Sequence, residues 1–179
     1  MHETQPVAAD TMKKVIVIGC PGSGKSTFSR ALHEIVGIPL YHLDMMYWNA
    51  DRTTVEKSVF LERLHAVLEK DRWIVDGNYG STMELRVKAC DTVFFLDFPL
   101  DVCLEGIRAR RGNPRNDMPW IEREEDAEFM EFVKCYDQQQ KPTVLALLEK
   151  YHDKNTILFS SREQADEFLR SLKTPSVIQ

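Results

Sequence analysis

The residues best suited to chemistry are Gly19-Cys20-Pro21-Gly22-Ser23-Gly24-Lys25-Ser26, which satisfy the spacing G-x-x-x-x-G-K-[ST] of a phosphate-binding loop. Glycines let successive backbone N–H groups converge on a phosphate without Cβ clashes. A helix beginning at the loop would add its dipole to the same anion. Lys25 is placed to reach the β- and γ-phosphates, and the Ser26 hydroxyl to ligate Mg²⁺. The expected nucleotide-binding set is Gly19, Pro21, Gly22, Ser23, Gly24, Lys25, Ser26 and Thr27. The pattern implies a nucleoside triphosphate.

Three acids, Asp44, Asp76 and Asp97, each follow a predicted strand, at the end of a parallel sheet where ligands sit. One acid near the triphosphate is needed to hold Mg²⁺, and another could accept a proton from an attacking hydroxyl. A lone Asp after a strand is more often a turn residue, but three share this position beside a phosphate loop. A second cluster, Arg108, Arg110, Arg111 and Arg115, lies in a segment with Gly112, Pro114 and Pro119. Such a segment, about 108–120, reads as a mobile lid whose arginines neutralise charge during phosphoryl transfer. The competing reading is a solvated basic face paired with the acids of Glu122 to Glu131. Tyr41, Trp48, Trp73 and Tyr79 fall near strand ends, where they could line a ring pocket, although Trp73 fits the core better. His42 reads as a core histidine.

These residues need positioning. Val15-Ile16-Val17-Ile18 is a run of β-branched residues, a buried parallel strand. Phe28, Ala31, Leu32 and Ile35 then recur at helical spacing until Gly37. Further strands are expected at 38–43, 73–75, 92–96 and 156–159, separated by apolar helical stripes. Thr53 with Glu56, Ser81 with Glu84 and Ser161 with Gln164 have capping-box spacing, and Pro142 should divide a helix. Strand–helix alternation repeated five times predicts an α/β fold: a P-loop NTPase with a five-stranded parallel sheet and helices on both faces. The expected organisation is one domain over 12–174, with flexible tails at 1–11 and 175–179.

Of 179 residues, 43% are hydrophobic and 28% charged, and the net charge is −5. That balance suits a globular protein and gives no broad basic surface, so direct DNA binding is not expected. No apolar run reaches the ~20 residues that span a bilayer. Cys20, Cys90, Cys103 and Cys135 have neither zinc-site nor disulfide-framework spacing, which fits a reduced cytoplasmic setting. Cys20 lies near a helix N-terminus and Lys25, which could lower its thiol pKa.

Tyr41-His42-Leu43-Asp44 with Trp48, Trp73-Ile74-Val75-Asp76-Gly77-Asn78-Tyr79, Arg86, Cys90-Asp91, Phe95-Leu96-Asp97-Phe98-Pro99 and Arg115-Asn116-Asp117-Met118 together resemble the DNA topology modulation protein family. These are small adenylate-kinase-like P-loop proteins, and the resemblance runs from Met12 to Leu172. It implies a nucleoside-monophosphate-kinase-like fold with an arginine lid and ATP as phosphoryl donor. It further implies that Asp76 supports Mg²⁺, that Arg86 faces the acceptor, and that the loop with Ser161 and Arg162 passes the adenine. The chain departs from related kinases where an arginine is expected four residues before Arg110, since Gly106 stands there. The Asp-Gly box also continues as Asn78-Tyr79 rather than Phe-Pro-Arg, so AMP does not follow as acceptor.

The combined expectation is an ATP-dependent phosphotransferase acting on a small molecule, possibly a nucleoside or nucleotide. Lys25, Asp44, Arg110, Arg111 and Arg115 carry catalysis, and Ser26 and Asp76 hold the metal. Asp44, Tyr79 and Arg86 bind the acceptor, with Arg86 clamping an anionic group. The rivals are an ATP-binding regulator that acts through a partner, with an indirect effect on DNA topology, and a protein acting directly on DNA.

Overall fold

The computed structural model describes residues 9–173. Five strands, β1 (Lys14–Gly19), β2 (Leu40–His42), β3 (Trp73–Asp76), β4 (Thr92–Leu96) and β5 (Asn155–Phe159), form one sheet in the order β2-β3-β1-β4-β5. Every pairing is parallel. The chain leaves the central β1 for one edge and later for the other, so the carboxyl end of β1 is a topological switch point, where α/β sheets open their ligand crevice.

Residues of β1 alternate between two cores, as the two-residue period of a strand requires. Val15 and Val17 pack with α1 (Lys25–Val36), α5 (Leu100–Arg110), α6 (Ala127–Lys134) and α9 (Arg162–Lys173). Ile16 and Ile18 pack with α3 (Lys57–Leu68), α4 (Gly80–Ala89) and α8 (Lys141–Lys150). Each such side chain, taken out of water, contributes roughly 1.5–3 kcal/mol before the entropy of ordering it. Trp73 lies in the second core and is fully buried. The phosphate-loop strand is thus held from both faces, and the loop after it begins from a fixed point.

Several local expectations change. Leu43 opens the short helix α2 (Leu43–Tyr47), so Asp44 stands in a first helical turn and does not end a strand. Thr53 belongs to a tight turn, donating its hydroxyl to the Asp51 carboxylate at 2.6 Å, and α3 begins at Lys57 with no side-chain cap. Ser81 lies inside α4, and Glu84 instead accepts from Lys150 and Tyr151. The Ser161–Gln164 cap does form: Ser161 Oγ accepts from the Gln164 amide, and Gln164 Oε1 from the Ser160 amide at 2.8 Å. Pro142 sits in the first turn of α8 and separates it from α7 (Tyr136–Gln139). The segment expected as a lid, about 108–120, is helical up to Arg110, so Arg108 and Arg110 belong to the preceding helix, and the chain is irregular from there over 111–126. The expected tails lie outside the described residues, apart from a 3-10 turn at Ala9–Thr11.

Candidate functional site

The phosphate loop opens into a cleft of about 980 Å³ between the carboxyl edge of the sheet and the segment 111–126. Gly24 caps α1 with φ 94 and no side-chain hydrogen bond, which leaves the first amides of that helix without a capping side chain. Gly22 has φ 85, and a Cβ there would stand 2.0 Å from the Cys103 carbonyl oxygen of α5. Only glycine lets loop and helix meet this closely. The approach is mutual, because a Cβ on Gly106 would stand 2.1 Å from the Gly22 oxygen. An arginine four residues before Arg110 has no room, which accounts for the departure seen in the sequence. Pro21, Gly22, Gly24, Lys25, Ser26 and Thr27 line the cleft, whereas Gly19 and Ser23 are buried behind it. Lys25 Nζ folds back on the loop, donating to the carbonyls of Gly19 at 3.0 Å and Cys20 at 3.1 Å. Burial lowers its pKa, and Asp76 and Asp44 oppose that shift.

The end of β3 forms the floor. Asp76 is buried, and both its oxygens contact His42 Nδ1, at 2.8 and 2.9 Å. Burial disfavours the charged imidazole, but Asp76 outweighs it and raises the His42 pKa. His42 is thus the partner of a site carboxylate. Asn78 ties the floor to the phosphate loop: its Nδ2 donates to the Gly19 carbonyl at 2.8 Å, and its Oδ1 accepts from the Gly19 amide at 3.3 Å. Asp44 also lines the cleft and accepts a 2.6 Å hydrogen bond from the Tyr79 hydroxyl. Burial raises the Asp44 pKa, with Tyr79 and Lys25 partly offsetting it.

The segment 111–126 lines the cleft opposite this floor and is laced by ion pairs. Arg110 forms a bidentate pair with Glu122, Arg115 one with Asp117, and Arg111 meets Glu125 at 2.7 Å. Arg115 also reaches Glu122 at 3.2 Å. Arg110, Arg111 and Arg115 therefore line the cleft and are each paired with an acid that follows, whereas Arg108 does not line it. Asp117, buried, accepts from Ser26 Oγ at 2.5 Å and so joins the lid to the phosphate loop. Burial opposes its charge, but Arg115 and Ser26 hold its carboxyl well below the usual range. In the sequence Asp117 stands only within Arg115-Asn116-Asp117-Met118, with nothing local that marks it as a partner of Ser26. Arg162 lines the cleft, whereas the Ser161 oxygen serves as a helix cap.

Four expectations are overturned. Arg86 is 0% exposed and donates to the carbonyls of Gly77, Asn78 and Tyr79 and to Thr82 Oγ1. It braces the turn beneath the floor and offers nothing to an acceptor. Asp97 pairs with Lys141 at 2.6 Å, away from the cleft. The Tyr41 hydroxyl accepts from Lys70, and its ring lies under the same ammonium. The Cys20 thiol is pushed up by its hydrogen bond with Cys103 and by burial, the reverse of an activated thiolate.

No family model matches the chain, and no curated protein matches it. Solved structures do. A shikimate kinase from Bacteroides thetaiotaomicron is 21% identical with TM-score 0.53, over 91% of this chain and 97% of that one. A shikimate kinase from Acinetobacter baumannii in complex with shikimate is 16% identical with TM-score 0.57, over 94% and 97%. A gluconokinase from Sinorhizobium meliloti 1021 is 16% identical with TM-score 0.54, over 89% of each. The fold is therefore that of the small P-loop kinases. The resemblance to the DNA topology modulation family gains no support from these comparisons. Among the described residues no helix is long and apolar enough to cross a membrane.

Proposed function

We propose that this chain is an ATP-dependent phosphotransferase acting on a hydroxyl of a small-molecule acceptor. The observation that carries the reading is Asp44, a carboxylate of raised pKa held by Tyr79 in the same cleft as Lys25 and the phosphate loop. A nucleotide-driven switch has no use for a poised base there. The hydroxyl-bearing acceptor gives its proton to Asp44 as its oxygen forms the new bond to phosphorus, and the bond from phosphorus to the departing diphosphate breaks.

The donor set fits a metal-bound triphosphate. The loop amides and Lys25 suit the phosphates, while the Ser26 hydroxyl and the Asp76 and Asp117 carboxylates suit a hard cation. Among the described residues no three His, Cys, Asp or Glu side chains could hold a metal together, so these donors suit an ion shared with phosphate. When bound, Mg²⁺ neutralises charge developing on the transferred group. Arg110 and Arg115 would exchange their carboxylate partners for phosphate oxygens, and Arg162 would lie against the nucleotide.

Lys25→Ala tests the reading. It should keep the fold, since Lys25 bonds only to loop carbonyls, and lose the stabilisation by Mg-ATP, about 2.7 kcal/mol at a hundredfold excess over Kd. Equal thermal stabilisation of wild type and variant would sink the proposal. ATP consumption screened against nucleosides, nucleoside monophosphates and sugar acids would then identify the acceptor.

A further inference from the structure

Among the described residues, the non-glycine positions with positive φ are Arg52 at 68° and Tyr79 at 36°. Both line the cleft, and a continuous chain of aromatic contacts joins them. The Arg52 guanidinium lies 5.0 Å from the Trp120 ring centre, Trp120 meets Trp48 edge-on at 5.8 Å, and Tyr47 touches both Trp48 and Tyr79. Backbone held in the left-handed region costs roughly 1–3 kcal/mol and persists where surrounding bonds over-determine it, commonly at functional sites. At Arg52 those bonds are plain. Its amide donates to Asn49 O at 3.1 Å, and the Asn49 amide to Thr53 O at 2.8 Å. Asp51 Oδ1 accepts from the Thr53 amide at 3.0 Å, and Asn49 Nδ2 donates to Thr53 Oγ1 at 2.9 Å.

The charge pattern agrees. Arg110, Arg111 and Arg115 are paired with carboxylates, but Arg30, Arg52, Arg123 and Arg162, which also line the cleft, have no carboxylate partner among the described residues, and of these Arg52 lies against the aromatic chain. Arg52 donates to the Ile121 carbonyl at 3.2 Å, and Arg30 only to Thr27 Oγ1 at 3.4 Å. Guanidinium forks match carboxylate and phosphate oxygens in pairs. We propose that Arg52 and Arg30 grip an oxyanion on the acceptor, so that the acceptor is a small hydroxylated carboxylate or phosphate whose carbon skeleton lies on Trp48 and Trp120. The inference rests on the phosphotransferase reading and returns to Arg52 and Arg30 the role that buried Arg86 cannot fill.

Trp48 and Trp120 are built-in reporters, with Trp73 a buried constant background. The full chain, saturated with Mg²⁺ and a non-hydrolysable ATP analogue, is titrated by fluorescence with gluconate and shikimate, with AMP and glucose 6-phosphate, and with glucose and adenosine as neutral controls. A saturable change is expected in the carboxylate arm or the phosphate arm, which separates the two sources of the oxyanion. The neutral compounds should bind at least tenfold more weakly. Arg52→Gly suits the turn, since glycine takes a φ of 68° freely. It should raise the Kd of the responding anion about tenfold or more, as loss of a charge-assisted bond implies, while Arg52→Lys restores part of it. Affinity for the ATP analogue should stay constant throughout. Equal binding of neutral and anionic compounds, unchanged anion affinity in Arg52→Gly, or silence of the whole panel while the analogue binds would each overturn the proposal and leave the phosphotransferase reading standing. Failure of the analogue itself to bind would overturn both.

Discussion

The two halves of the cleft are built from different materials. On the side of the proposed nucleotide site the groups facing inward are mostly main chain, the loop from Pro21 to Gly24 and the start of α1, fixed by β1 and by the contact of Gly22 with Gly106. On the side of the proposed acceptor they are charged and polar side chains holding one another: Asp44 with Tyr79, Arg115 with Asp117, Arg110 with Glu122. The loop amides need no rearrangement to receive phosphate, and only Lys25 and Ser26 must leave their present partners. A side-chain site must exchange partners, and substitutions there should separate the chemistry from nucleotide binding.

The sharpest separation is expected at Asp44. Asp44→Asn should lower transfer by roughly 10²–10⁴-fold, the value of a general base, and leave stabilisation by Mg-ATP intact. Because burial raises the Asp44 pKa, activity should fall on the acid side at a pH above that of an ordinary carboxylate. The linkage has a definite sign. The unfolded chain loses this proton first, so stability declines as pH rises from the unfolded pKa through the folded one, and the cost persists at neutral pH. Asp44→Asn should therefore melt slightly higher than wild type near pH 7, the trade of stability for activity seen at strained sites. Loss of Mg-ATP stabilisation in this variant would assign Asp44 to the phosphate half and break the comparison.

Arg86 should behave in the opposite way. Its guanidinium, wholly buried, satisfies three carbonyls of the turn that shapes the floor, and burial lowers its pKa to about 10. Arg86→Ala should cost roughly 3 kcal/mol in chemical denaturation, because those carbonyls lose their donors and a cavity remains. Arg86→Lys should recover little, since a single ammonium cannot reproduce the fork. A variant of wild-type stability with only a raised KM for the acceptor would restore the role first read from sequence.

The same contrast decides what was legible in the sequence. The sheet, its parallel sense and the phosphate loop follow from β-branched runs and glycine spacing, which are local. Gly106 looked like a missing arginine, and only its contact with the Gly22 carbonyl shows why no side chain fits. Asn78, Asp117 and Arg52 were passed over because their roles depend on partners 59, 91 and 69 residues away. Arg86 misled for the same reason. A charged residue after an Asp-Gly box looks like a ligand-facing group until the fold shows it turned inward. His42 reads in sequence as a core side chain, but it is half-buried, belongs to neither apolar core and pairs with Asp76 of the floor.

Within the lid the comparison narrows to two arginines. Arg115 is mostly buried against Asp117, with side-chain exposures of 13% and 6%, and Asp117 in turn bonds Ser26. Arg115→Ala should lower turnover roughly 10²-fold, the size of a lost charge-stabilising donor. Arg111 makes an equally short contact, 2.7 Å to Glu125, but its side chain is 31% exposed and its partner 53%. Water and salt screen such a pair, and holding two long side chains together offsets much of what remains. Although both arginines were read from sequence as catalytic, Arg111→Ala should change turnover less than about threefold and stability by less than about 0.5 kcal/mol. Steady-state kinetics of the two variants at 0.05 and 0.5 M salt would check this. If Arg111→Ala matches Arg115→Ala in lost turnover, Arg111 must leave Glu125 and turn inward when the substrates bind, and the exposed pair is then a resting position rather than a solvated face.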